Sequence, residues 1–391
     1  MCADGLRIAS TEEQPVMPDS SQAGRDTGCR VEVVTKPAGL EALRESWASL
    51  ARRAAPANPF IHPDWIISWW QAFGANRRLY VLAAWRGPEL VGVLPLALTD
   101  RWRYGIRVRV LGATVNDHSP RFDLLVAPEA SGVVADLWNS LIADVPDWDL
   151  LELSPMPARS RNLIRFMRLA RAEGMRHGLW EAAGSPRIHT RLPWEAYLAQ
   201  RSSNFRKQLR RKLRRLSARG PLALEIIDRP EDLARALPEA LAIEAAGWKG
   251  QRGSAIDSRP EVRCFYTRLA SALSAKGELR LHFLTLAGRR IAFDLSIFSS
   301  QRLYSLKAGY LNDEAADSPG TLLVYHMLMH YMASGLVEFD LLGEPDAFKR
   351  QWTRDVRRHQ WLVCFSGSVR SLAVYALKFR LAPAIRQFAR N

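Results

Sequence analysis

The chain has 391 residues, 48% of them apolar, and a formal charge of +15. That length exceeds one ordinary hydrophobic core and predicts two lobes. Four cysteines (Cys2, Cys29, Cys264, Cys364) without a CxxC pair argue against a disulfide framework or zinc ribbon and for a reducing, cytoplasmic setting, and no apolar run approaches the ~20 residues of a membrane span.

The first 29 residues are polar, rich in Glu, Asp, Ser and Pro, and predict a disordered tail without a signal-peptide core. Val31–Thr35 reads as a strand and Leu40–Arg53 as a helix. Pro63 suits the first turn of a helix over Asp64–Phe73, with Trp65, Trp69 and Trp70 on one face for core or lobe-interface packing. Leu79–Trp85 and Leu90–Leu98 form a hairpin around Arg86-Gly87-Pro88-Glu89, followed by strand Val108–Leu111 and the polar loop Asn116–Pro120. Strand Phe122–Val126, helix Ser131–Ala143 and strand Trp148–Leu153 complete this half.

The same order returns later. Strands Leu279–Leu286, Ile291–Phe298 and Leu303–Tyr310 lead to the break Ser318-Pro319-Gly320-Thr321, an apolar helix over Leu322–Met332 and strand Leu336–Leu342. Asp117-His118-Ser119-Pro120 parallels Asp317-Ser318-Pro319, and Trp148-Asp149-Leu150-Leu151 parallels Phe339-Asp340-Leu341-Leu342. The chain therefore reads as two copies of one α/β (α+β) unit, residues 30–190 and 191–391, with mixed, largely antiparallel sheets flanked by helices and a joining segment over Met156–Arg191. Such a duplication places a ligand cleft between the halves.

Between the copies, 204–219 is a basic amphipathic helix with Phe205, Leu209, Leu213 and Leu216 on one face, stopped by Gly220-Pro221. Arg201–Arg219 contains nine Arg or Lys and no acid, and seven more follow Asp355. The apolar stripe packs on the second lobe, while the basic face is either solvated or meets phosphate, tRNA or an anionic membrane surface. Helices are expected over Leu233–Ala246, Glu261–Ser274, Phe348–Trp352 and Ser368–Phe388, with strands at Leu222–Ile227 and Val356–Phe365.

Taken in order, Phe60–Trp70, Phe205–Arg219, Gly247-Trp248-Lys249-Gly250, Ser318-Pro319-Gly320-Thr321 and Phe339–Leu342 with Phe348-Lys349-Arg350-Gln351-Trp352 resemble the GNAT acyltransferase superfamily. The likeness is nearest to its double-lobed CelD-like branch of cellulose and exopolysaccharide biosynthesis, related to the Fem aminoacyltransferases, and spans about residues 31–380. It implies an acyl-CoA (acetyl-CoA) donor, or an acyl carrier protein, and an amine acceptor on a small molecule or saccharide. Trp248, Lys249, Asp340 and Lys349 fall in the resembling stretches and are candidates for acceptor binding. The RxxGxG pyrophosphate loop of single-domain GNAT enzymes is absent, and Ser318-Pro319-Gly320-Thr321 stands in its place. A Fem-like use of aminoacyl-tRNA, or a non-catalytic basic surface protein, are the alternatives.

Acyl transfer to an amine requires a base and groups that steady the oxyanion. In strand Ile291–Phe298, Asp294 and Ser296 share a face, and a four-residue Ser299–Arg302 connection sets Asp294 opposite Lys307 and Ser296 opposite Ser305. Asp294 is then the candidate base and Lys307 its anion partner, with a plain rim ion pair as the alternative. Glu244 is a second candidate base, or a solvated helix carboxylate. Ser318, Pro319, Gly320, Thr321 and Leu322 offer either a pyrophosphate cradle at a helix start or an ordinary Ser-capped helix. The resemblance implies a tyrosine that protonates the leaving thiolate, Tyr304 or Tyr310, with a core role as the alternative. His326 and His330 read as packing, and no HExxH, Cys/His cluster or GxSxG supports metal or serine chemistry.

Overall fold

The computed structural model describes residues 29–54, 58–130, 132–247, 250, 253 and 255–381. The expected tail, the candidates Trp248 and Lys249, and the last residues of the C-terminal basic helix lie outside the described residues.

Strand β1 (Arg30–Val34) leads to α1 (Pro37–Ala42) and α2 (Arg44–Arg53), two helices where the periodicity predicts one. Helix α3 (Pro63–Phe73) begins at Pro63, and the His62 imidazole caps it by accepting from Asp64 N. The meander β2 (Arg78–Arg86), β3 (Glu89–Arg103) and β4 (Ile106–Ala113) follows, then a two-residue β5 (Leu125–Val126), α4 (Val133–Asp144) and β6 (Leu150–Pro157). The segment read as a joint instead carries α5 (Arg161–Ala172), capped by Ser160, and the long strand β7 (His177–His189). Gly178, Gly184 and Pro186 mask this strand in the sequence, because they break the alternation that marks strands.

Helices α6 (Trp194–Ala199) and α7 (Ser203–Ser217) open the second half, with β8 (Leu222–Ile227), α8 (Pro230–Ala246), α9 (Pro260–Ser274) and the meander β9 (Leu279–Leu286), β10 (Arg289–Ser299), β11 (Arg302–Tyr310). Then come α10 (Pro319–Ala333), a three-residue β12 (Glu338–Asp340), α11 (Ala347–Trp352), β13 (Val356–Phe365) and α12 (Val369–Ala376).

The strands lie in the order β1-β2-β3-β4-β6-β13-β7-β12-β11-β10-β9-β8, which is the expected mixed, largely antiparallel α/β architecture. Each half is an antiparallel meander closed by one parallel pair, β4 with β6 and β11 with β12. At the centre the last strands are exchanged. β7 follows β6 in the chain but pairs with β12, while β13 follows β12 but pairs with β6. β7 and β13 pair with each other, so one sheet runs through both halves.

Helices flank this sheet. Trp65 of α3 meets Phe265 of α9 edge-on, with centroids 5.1 Å apart, so Trp65 packs between the lobes, while Trp69 packs against Phe73 of its own helix. Phe205, Leu209 and Leu216 of α7 are buried in the second lobe together with the apolar residues of α10, the packing role expected of that stripe.

Candidate active site

β12 pairs with β11 only from Arg302 to Tyr304. It stops at Asp340 because Leu342 and Gly343 take positive φ values, 48° and 58°, and turn the chain away. Lys349 holds this turn by donating from Nζ to Leu342 O at 2.7 Å and Glu344 O at 3.2 Å. The candidate acceptor-binding Lys349 thus anchors a loop. β11 continues to Tyr310, and among the described residues no strand lies along that edge beyond Tyr304. Strands that start paired and then part leave a wedge open at the Tyr310 end.

The face of β11 toward the wedge differs from the expectation. Ser296 does face Ser305, but Leu295 pairs with Lys307 and Asp294 with Ala308, because Leu306 is bulged out between them. One extra residue in a period-2 strand sends everything beyond it to the other face. Asp294 and Lys307 are therefore not partners. Asp294 is 2% exposed, and its carboxylate accepts hydrogen bonds from Ser296 and Ser305. His282 lies beside it, with Nε2 2.7 Å from the Tyr331 hydroxyl of α10. Burial holds the His282 pKa down at about 3. This carboxylate, held by the two serines on the α10 side of the sheet, lies on the other face from Lys307.

On the opposite face lies a cluster built from both halves. The Lys307 ammonium stands 5.3 Å from the Tyr266 ring centroid on α9. His118, from the polar loop of the first half, stacks on Phe73 and brings Nδ1 to 3.4 Å from the Tyr266 hydroxyl. Arg259 places Nη2 3.3 Å from His118 Nε2. A guanidinium only donates, so Nε2 accepts and the His118 proton sits on Nδ1, facing Tyr266. Burial, then Lys307 and Arg259, push the His118 pKa down to about 4, which keeps the ring neutral. Tyr266 is raised by burial and then by the nearby Glu244 charge, which keeps its hydroxyl protonated. Glu244 is 1% exposed, not solvated, and accepts from Ile256 N at 2.8 Å. Its backbone lies against Gly309 of β11, where an added Cβ would come within 3.3 Å of Glu244 Cα.

At the Tyr310 end of the wedge, α10 begins. Ser318 takes φ 55°, ψ 55° at its cap without a side-chain capping bond, so the ordinary Ser cap is not formed. Glu314 and Asp317 just before it are buried, and both accept from Arg219 of the basic segment, at 2.6 and 2.7 Å. Arg215 also pairs with Asp317. With those two carboxylates met by Arg215, Arg219 and also Arg289, whose Nη1 is 3.6 Å from Glu314, Lys212 remains as a positive charge at the first turn, Nζ 3.4 Å from Thr321 Oγ1. An added Cβ at Gly320 would lie 3.5 Å from the Tyr310 ring, an ordinary contact. A helix start with a lysine beside it fits a phosphate group.

Tyr304 and Asp340 belong to the lobe interface. Asp340 has no exposed surface and takes Arg121 Nη2 on Oδ2 at 2.6 Å. Tyr304 packs edge-on to Phe60 with Arg121 over its ring, and burial raises its pKa. His118, Arg259, Tyr266 and Arg121 are functional candidates that sequence reasoning missed. His118 lay in a loop singled out by its likeness to Asp317–Pro319, whereas Arg259, just before the expected helix Glu261–Ser274, and Tyr266 within it carry no motif.

Residues 203–350 match the acetyltransferase (GNAT) domain family. No curated protein matches the chain. Among solved structures, FemX is 13% identical, covers 85% of this chain and 98% of its own, and superposes with a TM-score of 0.56. The C-terminal domain of a lysylphosphatidylglycerol synthetase from Agrobacterium fabrum is 11% identical, with 88% and 98% covered and a TM-score of 0.51. A conserved protein of unknown function from Bacteroides thetaiotaomicron is 11% identical, with 85% and 100% covered and a TM-score of 0.52. The acetyltransferase (GNAT) domain match is thus confined to residues 203–350, while these solved structures share the fold over most of the chain.

Proposed function

We propose that this protein is an N-acyltransferase of the CelD-like branch. It moves an acyl group from acyl-CoA to an amine on a sugar, amino acid or polysaccharide precursor, in exopolysaccharide or cell-envelope assembly. The observation that carries this reading is the wedge beside β11, bounded at one end by the first turn of α10 with Lys212 and on one face by Glu244, Tyr266 and Lys307. In this reading Ser318–Leu322 and Lys212 hold the donor's pyrophosphate. Glu244 takes the proton of the attacking amine as the C–N bond forms. Lys307 steadies the oxyanion, and Tyr266 returns a proton to the thiolate as the C–S bond breaks. Trp248 and Lys249, next to Glu244 in sequence, are proposed on the acceptor side.

A tRNA-borne aminoacyl donor is the second reading. It is favoured by the exposed row Lys207, Arg210, Arg211 and Arg214 on α7.

A thermal-shift screen with CoA, acetyl-CoA and longer acyl-CoAs tests the first reading. A ligand at a hundred times its Kd adds about 2.7 kcal/mol of stability, so the unfolding midpoint rises. Lys212→Met should weaken CoA about tenfold, the loss of one charged hydrogen bond to phosphate. If no CoA species shifts the midpoint, the acyl-CoA reading fails, and a shift by aminoacyl-tRNA would replace it with the second.

A further inference from the structure

The β3–β4 hairpin outruns the sheet. β2 leaves β3 at Leu98, and β6 joins β4 only at Val110, so residues 99–108 form a two-stranded ribbon that extends past both neighbours. Its tip is a two-residue turn, Tyr104-Gly105, with φ 52° and 77°, closed by the pair Arg103 and Ile106. Trp102 is 70% exposed and Tyr104 54%. One face of the ribbon is covered, where Val108 is buried and Ile106 packs against the cluster of Val108, Val110 and Val374, but Trp102 and Tyr104 lie outside that core.

Charge surrounds them. Arg107 faces Trp102 across the ladder and pairs with Asp100 at 2.9 Å. On the other face Arg103 and Arg101 approach Glu152, at 3.2 and 3.8 Å. Lys378, in the turn after α12, lies over the Trp180 ring at 3.7 Å, within range of Glu152 and Arg103. Four cations thus meet two carboxylates.

We infer that this ribbon docks the protein on an anionic bilayer, with Trp102 and Tyr104 entering the headgroup layer and Arg101, Arg103, Arg107 and Lys378 meeting lipid phosphates. Tryptophan and tyrosine combine an apolar body with a polar tip and sit at that depth, and arginine pairs with phosphate in a fork. A projecting aromatic tip favours a membrane over nucleic acid, because single-strand binding uses a groove that tracks the backbone. The inference does not depend on which donor the catalytic cleft takes.

The test is co-sedimentation of the full chain with vesicles of phosphatidylcholine alone, or with about 30% phosphatidylglycerol. The wild type should bind the anionic vesicles, bind the neutral ones far less, and lose binding as salt approaches about 0.5 M. Trp102→Ala with Tyr104→Ala should cut partitioning about tenfold or more, with an unchanged unfolding midpoint. Trp102→Ser alone serves as a milder variant and should cut it less. The inference is overturned by wild type that stays in the supernatant, or by variants that partition like wild type. It is also overturned if the ribbon variants lose only tRNA binding, or only convert a dimer to a monomer.

Discussion

Arg121→Met removes the guanidinium that sits 2.6 Å from a carboxylate without exposed surface. Arg121 itself is 3% exposed, and the pair joins a loop of the first half to β12 of the second. Truncating one partner of such a pair leaves the other charge buried, at a cost of about 3–5 kcal/mol. Part of that is offset here, because Asp340 also accepts from Leu342 N at 3.0 Å and has Arg357 Nη1 at 4.0 Å. The expected loss therefore lies at the lower end, about 3 kcal/mol. Urea unfolding, read as the change in midpoint at constant slope, measures it. The double variant Arg121→Met with Asp340→Leu, which removes both charges, should return to within about 1 kcal/mol of wild type. A loss below about 1 kcal/mol for Arg121→Met would refute the reasoning. So would an Asp340→Asn variant that keeps full stability and only raises the KM for acceptor, because Asp340 would then be a binding group after all.

Glu244→Gln should lower kcat by about 10²–10⁴ if the carboxylate is the base, while a glutamine oxygen still accepts from Ile256 N and leaves CoA affinity unchanged. Unaltered turnover in steady-state assays would remove Glu244 from the mechanism. Stability should also fall as pH drops from 6.5 toward 4. His282 and His359 are held by burial at about 3 and about 4 in the folded chain against 6.5 ordinarily, so the unfolded chain binds more protons in that window and unfolding is favoured. Asp123, pushed up by burial from 3.8 to about 6, works the other way, and these two histidines, joined by His118 at about 4, outweigh it. Midpoints of chemical unfolding across that range check this, and His282→Gln should flatten the slope.

The sequence by itself determined the local elements of this protein. Alternating apolar runs with glycine turns gave the hairpins β2–β3 and β9–β10, Pro63 gave the start of α3, and the 4, 4 and 3 spacing of Phe205, Leu209, Leu213 and Leu216 gave α7 and its buried face. Backbone periodicity and capping act over a few residues, so they are written in neighbouring positions. The repeated order of elements also made the two-lobed α/β fold legible. Only the tertiary structure decided the rest. The bulge at Leu306 depends on how β10 and β11 settle against each other, and it separates Asp294 from Lys307. The exchange of β7 and β13 pairs residues far apart in the chain, such as Trp180 with Trp361. Arg121 with Asp340, and His118 with Tyr266 and Arg259, meet across more than a hundred residues, so neighbouring positions do not reveal the pairing. Strand register and the pairing of buried polar groups are set by non-local packing, where one residue of slip changes every partner.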